Sequence, residues 1–433
     1  MAREKVGGPR IGAATVVTTL GTAVFLLALF TWIEPMRARA LELLSLDSGS
    51  GRARLEIWKT ALAMWNAHPW LGSGPDTFQL LFARYQTHAY WLFEWGTDAF
   101  HAHSIYLHVL ATRGIAGVLV AAAVSGAAVF SLRAGWRGDA VARELVPGLA
   151  GLLAALGLAG ISGALGIAGA AVVACTLGTL PAITSSRPSA PKRAASRRPR
   201  SWVPLAAGAL AGLLILLPTA AQMRASGAAF LADQETEGWR AIALARRAEQ
   251  LAPWSDRMAS DAADLLRRYA SRTSDPRGTL SLAEGSARRA IQLAPERLGS
   301  QSELALILLA RAGAGAVGAD REAAAAVARC SDLGPYNVLP LIHYCEAALQ
   351  IGRGDLALPI ARRATALYPG EALPQAMLGE AYLALGDPAA ARTAMERSIG
   401  LEWRDDRGRR DRIWRKLMAL RAGHPRGIVL GHP

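Results

Sequence analysis

The chain has 433 residues, 52% hydrophobic and 19% charged, with a formal net charge of +14. A soluble globular chain carries about 25% charged residues. Here the shortfall is local: the stretches 11–33, 114–132, 145–163, 164–183 and 202–222 hold no charge. Crossing a bilayer takes about 20 apolar residues, so a soluble protein is excluded, and three cysteines exclude a disulfide-dense secreted scaffold.

The basic residues orient the spans. Residues 1–10 carry +2, 133–144 carry +1 and 184–201 carry +6, whereas 34–113 is balanced by seven basic and seven acidic groups. Short basic loops stay cytoplasmic, which puts the first three segments inside. Alternation across five spans then puts loop 34–113 and the tail 223–433 outside. The positive balance is an orientation signal rather than a nucleic-acid footprint; no nucleic acid is expected as a partner, and membrane lipids are. Residues 1–33 read as a tail and first transmembrane helix. The uncharged run 11–33 is longer than the apolar core of a signal peptide, which is about 7–15 residues, so it is taken as an anchor.

Loop 34–113 is the only long outside segment between spans, and its aromatics include Trp58, Trp65, Trp70, Trp91, Trp95 and Phe100. Most of these fit packing and interface anchoring, and some could stack on sugar rings. Arg54, Ile57, Trp58, Ala61, Leu62 and Trp65 recur at helical spacing. His68-Pro69 ends that pattern, and Leu71-Gly-Ser-Gly-Pro75 reads as a tight turn. A second helix is expected to start near Asp76 and Thr77. His101-Ala-His103-Ser104 then precedes a helix that enters the second span through Gly114-Ile-Ala-Gly117.

Three transmembrane helices are expected within 114–183. A basic cytoplasmic linker, 184–201, follows; its Pro, Ser and Arg content suits contact with anionic lipid. The fifth helix is 202–222. Beyond it, one phrase recurs: Ala245-Arg-Arg-Ala-Glu-Gln-Leu-Ala-Pro253, Ala287-Arg-Arg-Ala-Ile-Gln-Leu-Ala-Pro295 and Ala361-Arg-Arg-Ala-Thr-Ala-Leu-Tyr-Pro369. The repeated leucine falls at 251, 293, 333, 367 and 401. The last two steps match the tetratricopeptide (TPR) period of about 34 residues. Leu378, Gly379, Tyr382, Gly386, Asp387 and Ala391 follow the TPR consensus in order. The fold class is therefore all-α: a polytopic helical membrane domain followed, over 223–433, by a TPR-like α-solenoid. The repeats near 270–280 and 313–320 carry inserts. The alanines of the phrase should pack and the arginines face water. Cys330 and Cys345 fall on neighbouring helices, which leaves a disulfide open; Cys175, inside a span, reads as a small apolar residue.

The order Arg54-Leu-Glu-Ile-Trp58, His68-Pro-Trp-Leu-Gly-Ser-Gly-Pro75, Phe78, His101-Ala-His103-Ser104 and Gly114-Ile-Ala-Gly117 resembles the O-antigen ligase/polymerase family of bacterial membrane glycosyltransferases. The family pattern sets His and a small polar residue nine residues before Gly-x-x-Gly, and His103-Ser104 and Gly114–Gly117 keep that spacing. The resemblance covers about 34–183. It implies glycan transfer from an undecaprenyl-diphosphate carrier to lipid A-core or another acceptor, at the outer face of the bacterial inner membrane. It implies no cofactor and no metal. Arg54 takes the place of the family's arginine, suited to clamp a diphosphate bidentately. His103 takes the place of the loop histidine that activates the acceptor hydroxyl. Arg52, Arg84, His101 and Tyr106 are weaker substrate-binding candidates, and His68 and His108 read as structural. The His101/His103 pair could bind metal, but the sequence offers no third ligand at zinc-type spacing.

The resemblance also implies ten or more spans and a second functional arginine in an earlier outside loop. With five spans, the chain reads as the C-terminal half of such an enzyme: a fragment, a split gene product or a late-started reading frame. The family members share these motifs whether the product is ligated lipid, a longer carrier-linked chain or a glycosylated protein. The alternative is a non-catalytic, membrane-anchored TPR scaffold for cell-envelope polysaccharide assembly, with a protein partner on the TPR face. A transporter is disfavoured because no span holds a charge.

Overall fold

The computed structural model describes residues 49–96, 98–136, 146–153, 157, 203–404 and 407–422. The predicted spans 11–33 and 164–183, the linker 184–201, Cys175 and most of 145–163 lie outside the described residues. Every regular element among the described residues is helical, as expected for an all-α chain.

Four helices make the loop and the span after it: α1 (Gly49–Ala67), α2 (Phe78–Tyr85), α3 (Tyr90–Phe93) and α4 (Ile105–Trp136). Ala53, Ile57, Ala61 and Met64 form the buried stripe of α1 at helical spacing. The helix stops at Ala67, ahead of Pro69, because the residue before a proline is driven out of the helical region. Thr77 is the N-cap of α2 but its side chain caps nothing; its hydroxyl donates to the Gly74 carbonyl at 2.7 Å. Helix α4 is long and apolar enough to cross a membrane and is the one such helix found among the described residues.

Helix α4 is broken at Gly114, where φ is 60° and ψ −160°. In an unbroken helix the amides of 115 and 116 would bond the carbonyls of 111 and 112. The 69–74 segment supplies all four replacements. Ser73 and Gly74 donate to the Ala111 and Thr112 carbonyls at 3.0 and 2.9 Å; Ile115 and Ala116 donate to the Pro69 and Trp70 carbonyls at 2.9 and 3.0 Å. The predicted tight turn is thus a clasp around a kink in the next span, and these four backbone groups at the break are all paired.

The remaining helices are α5 (Val203–Gln234), α6 (Gly238–Leu251), α7 (Asp256–Tyr269), α8 (Pro276–Leu293), α9 (Leu298–Gly313), α10 (Ala319–Leu333), α11 (Leu339–Gln350), α12 (Gly354–Leu367), α13 (Ala372–Ala384), α14 (Pro388–Ile399) and α15 (Arg407–Arg421). Consecutive members pack on one another along the row. In each full copy of the phrase the two alanines are buried (Ala245 and Ala248, Ala287 and Ala290, Ala361 and Ala364) and the two arginines between them are exposed. Helices α6, α8, α10 and α12 all end two residues before a proline, which cannot continue the ladder. A Cβ on Gly379 would stand 2.7 Å from Met395 Cγ and 3.3 Å from the Ala391 carbonyl oxygen, so a hydrogen at that position is what lets α13 meet α14.

The boundary placed at 222/223 falls inside α5: its first part carries the predicted fifth span, and Ala225, Ala228 and Ala232 further along are buried against α6 and α7. Helix α5 runs on through Pro218 and Gly227, so the predicted span and the first solenoid helix are one continuous helix. Cys330 and Cys345 are free, buried thiols; burial pushes Cys330 up to about 12 and raises Cys345 as well.

Candidate active site

The loop does not stand apart from the solenoid. One hydrophobic core contains Ile57, Phe78, Phe82, Tyr90 and Trp91 from the loop together with Leu308, Leu341, Tyr344 and Tyr368 from the repeats. Along the seam the loop meets the turns that join one repeat to the next. Arg84 donates to Glu296 at 2.9 Å. Asn337 Nδ2 donates to both oxygens of Asp98, at 3.1 and 3.2 Å. The His88 ring stacks on Tyr368 (4.5 Å, 9°), and His88 Nε2 lies 2.8 Å from the Leu367 carbonyl. Arg404 donates to the Leu92 carbonyl and sits over the Trp95 ring. These turns recur once per repeat, so the solenoid offers the loop a regularly stepped edge.

On this platform His101 and His103 are in contact, and Arg54 is near enough for its charge to act on His103. His103 adopts a left-handed backbone (φ 48°), uncommon for a residue with a Cβ. Its amide donates to His101 Nδ1 at 3.2 Å, and the two rings meet edge to face at 4.3 Å. Ala102 between them is fully buried and pins the strained turn from beneath. Burial, then the charge of His101, then that of Arg54 push the His103 imidazole down to about 4. His103 is therefore neutral at physiological pH, able to accept a hydrogen bond. Arg54 is half-buried on α1. Among the described residues no third His, Cys, Asp or Glu joins the histidine pair in a metal-sized group.

The other candidates lie elsewhere. Arg52, two positions from Arg54 and so on another face of α1, is exposed and sits 5.7 Å from the Phe93 ring centroid. Arg84 is engaged at the seam. Tyr106 is exposed, and its hydroxyl donates to the Gly157 carbonyl at 2.7 Å. His68 Nε2 lies 3.5 Å from the exposed Tyr85 hydroxyl, and the His108 ring packs 5.2 Å from Phe78.

Two supporting residues escaped the sequence reading. Glu56 is buried one residue beyond Leu55 and accepts from Thr87 at 2.5 Å and Lys59 at 2.6 Å; it fixes α1, and hence Arg54, against the loop. The Arg-x-Glu spacing of the motif was the available signal. Asp98, five residues before His103, ties the histidine turn to the solenoid through Asn337, and no local pattern marks it.

Residues 3–122 are similar to the family model described as Wzy_C, O-antigen ligase. No curated protein matches the chain. Among solved structures the chain is similar to a thermophilic TPR protein of Thermus thermophilus, at 17% identity over 45% of this chain and 99% of that one (TM-score 0.34). It is also similar to the MamA protein, at 14% over 42% and 91% (TM-score 0.32). A third is YrrB, a TPR protein with an unusual peptide-binding site, at 16% over 43% and 88% (TM-score 0.29).

Proposed function

We propose that the chain is the catalytic-loop and TPR part of a ligase-type glycosyltransferase of the bacterial inner membrane, working on its outer face. The observation that carries this reading is the His101–His103 turn with the charge of Arg54 acting on His103, within the family match. The donor is a glycan on undecaprenyl diphosphate, and the acceptor is lipid A-core or another hydroxyl-bearing molecule. The acceptor oxygen bonds to the anomeric carbon, the bond from that carbon to the diphosphate breaks, and the carrier diphosphate leaves with the electron pair.

Each residue has a physical task. Arg54, half-buried and with no carboxylate partner among the described residues, meets the diphosphate oxygens as charge builds on them. Neutral His103 accepts the hydrogen bond of the attacking hydroxyl and then its proton. A bound diphosphate offsets the positive charge of Arg54, which raises the basicity of His103 just when the proton must be taken. The five-span, multi-pass topology with loop 34–113 and the solenoid outside belongs to the same proposal.

The test is glycan transfer in cells by full-length protein. His103→Ala should lower transfer by about 10²–10⁴-fold, and Arg54→Ala by about 10²–10³-fold, with membrane insertion intact. Wild-type transfer by both variants would overturn the assignment and leave the scaffold reading.

A further inference from the structure

We propose that the cleft between the outside loop and the first solenoid repeats is a saccharide-binding subsite, which holds sugar units beyond the one that reacts. It encloses about 300 Å³, at the lower end of small-molecule sites, which run from about 300 to 1,000 Å³. Gln79, Asp98 and Phe100 line it from the loop, and Arg257, Asp261 and Arg297 from the solenoid.

The lining selects the ligand class. Phe100 is 63% exposed: an aromatic face is held in the cleft instead of in the adjoining core, ready to pack against the apolar face of a pyranose. The charges are already matched within the wall. Arg297 donates to Asp256, Arg257 faces Asp261 at 3.9 Å, and Asp98 accepts from Asn337. That leaves no excess positive charge to attract a phosphate or diphosphate. It leaves planar donors and acceptors, of the kind that meet hydroxyl groups, which both give and take hydrogen bonds. Burial raises Asp98; at such a poorly hydrated carboxyl a hydrogen bond to a sugar hydroxyl is stronger than at an open surface.

The position agrees. Phe100 lies three residues before His103 on the chain, so a glycan with its reacting end at His103 has the cleft within reach. The subsite rests on the glycan-transfer reading for the identity of that glycan, and it uses neither Arg54 nor His103. The sugar units could belong to the donor or to the acceptor, whose chemistry is shared.

The experiment titrates the purified full chain in lipid nanodiscs with two probes. One is oligosaccharide released by mild acid from the source cell's carrier-lipid pool; the other is core oligosaccharide released from its envelope acceptor. We expect saturable binding of one of them, the first marking a donor-side subsite and the second an acceptor-side one. Phe100→Ala and Arg257→Ala should each weaken binding at least tenfold. Phe100→Tyr should bind within about twofold of wild type, and Trp414→Ala, an exposed aromatic on α15 outside the cleft, should be unchanged. Failure of the wild type to bind either probe saturably, or full binding by Phe100→Ala, would overturn the subsite. Transfer assays separate the two claims: normal transfer by His103→Ala refutes the catalytic reading alone, and normal binding by Phe100→Ala refutes the subsite alone.

Discussion

Gly72 and Gly114 touch backbone to backbone. A Cβ on Gly114 would stand 2.5 Å from the Gly72 nitrogen and 2.5 Å from the Trp70 carbonyl oxygen; one on Gly72 would stand 2.6 Å from the Gly114 nitrogen and 2.2 Å from that of Arg113. Both residues have left-handed φ, 69° and 60°. The Leu71–Pro75 turn and Gly114-Ile-Ala-Gly117 are therefore two halves of one joint, which fixes the loop against the start of α4.

Gly72→Ala and Gly114→Ala should each destabilise the protein by more than the strain of about 1–3 kcal/mol that a left-handed non-glycine residue stores, because neither backbone can retreat. Gly126→Ala, further along the same helix with nothing within 4 Å of its added Cβ, is the control. Melting temperatures in detergent should fall by several degrees for the first two and stay level for the third. Equal melting for all three would show that the joint is not tight.

The histidine turn makes a pH prediction. Burial, His101 and Arg54 together hold His103 at about 4, so transfer should not lose its base on mild acidification from neutral pH. It should fall only as the pH approaches about 4. The folded value is depressed below that of the unfolded chain. The stability it contributes is thus present above the unfolded value of 6.5 and lost as pH falls through about 4. Arg54→Gln removes a positive neighbour and should raise the His103 titration; added inorganic pyrophosphate should raise it in the wild type and not in Arg54→Gln. Histidine NMR resolves these shifts, and a His103 titration near 6.5 in the wild type would sink the argument.

The seam can be measured through His88 and Tyr368, 280 residues apart and stacked at 4.5 Å. Tyr368 is 1% exposed, and its hydroxyl donates to the Tyr336 carbonyl at 2.8 Å. Tyr368→Ala should cost about 3–5 kcal/mol, the range for removing a large buried aromatic ring. A double-mutant cycle with His88→Ala should give a coupling of about 0.5–1.5 kcal/mol. A coupling near zero would mean that loop and solenoid fold without this contact.

What the residues disclosed in advance follows from the range of each interaction. The Ala-Arg-Arg-Ala copies, the prolines behind α6, α8, α10 and α12, and the small Gly379 act within one or two helices, so period and spacing reveal them. His68-Pro69 is equally local, and α1 ends where it predicts. The pairs Asp98–Asn337, His88–Tyr368 and Gly72–Gly114 join segments with no common period, and each residue alone looks like an ordinary loop or turn position. The same holds for Arg54 and His103: the motif marked both, but their nearness depends on the packing of α1 against α4. The boundary at 222/223 falls within α5, because a drop in hydrophobicity marks the edge of a membrane and not the end of a helix.

Asp98 gives the last prediction. Burial raises its carboxyl from 3.8 to about 6, and the hydrogen bond from Asn337 only partly opposes this. The folded value exceeds the unfolded one, so the unfolded chain releases its proton first. The contribution of Asp98 to stability is then greatest below about pH 4, declines as the pH rises to about 6, and is constant beyond. The span of that decline is at most about 3 kcal/mol, from a shift of roughly two units at about 1.36 kcal/mol each. Asp98→Asn keeps a group that can accept from Asn337 and removes the charge. It should flatten stability across that window and exceed the wild type at neutral pH. Asn337→Ala deletes the opposing hydrogen bond, so it should move the decline to higher pH. Melting curves of the three proteins from acid to neutral pH test this, and parallel curves for wild type and Asp98→Asn would show that the carboxyl does not titrate at the seam.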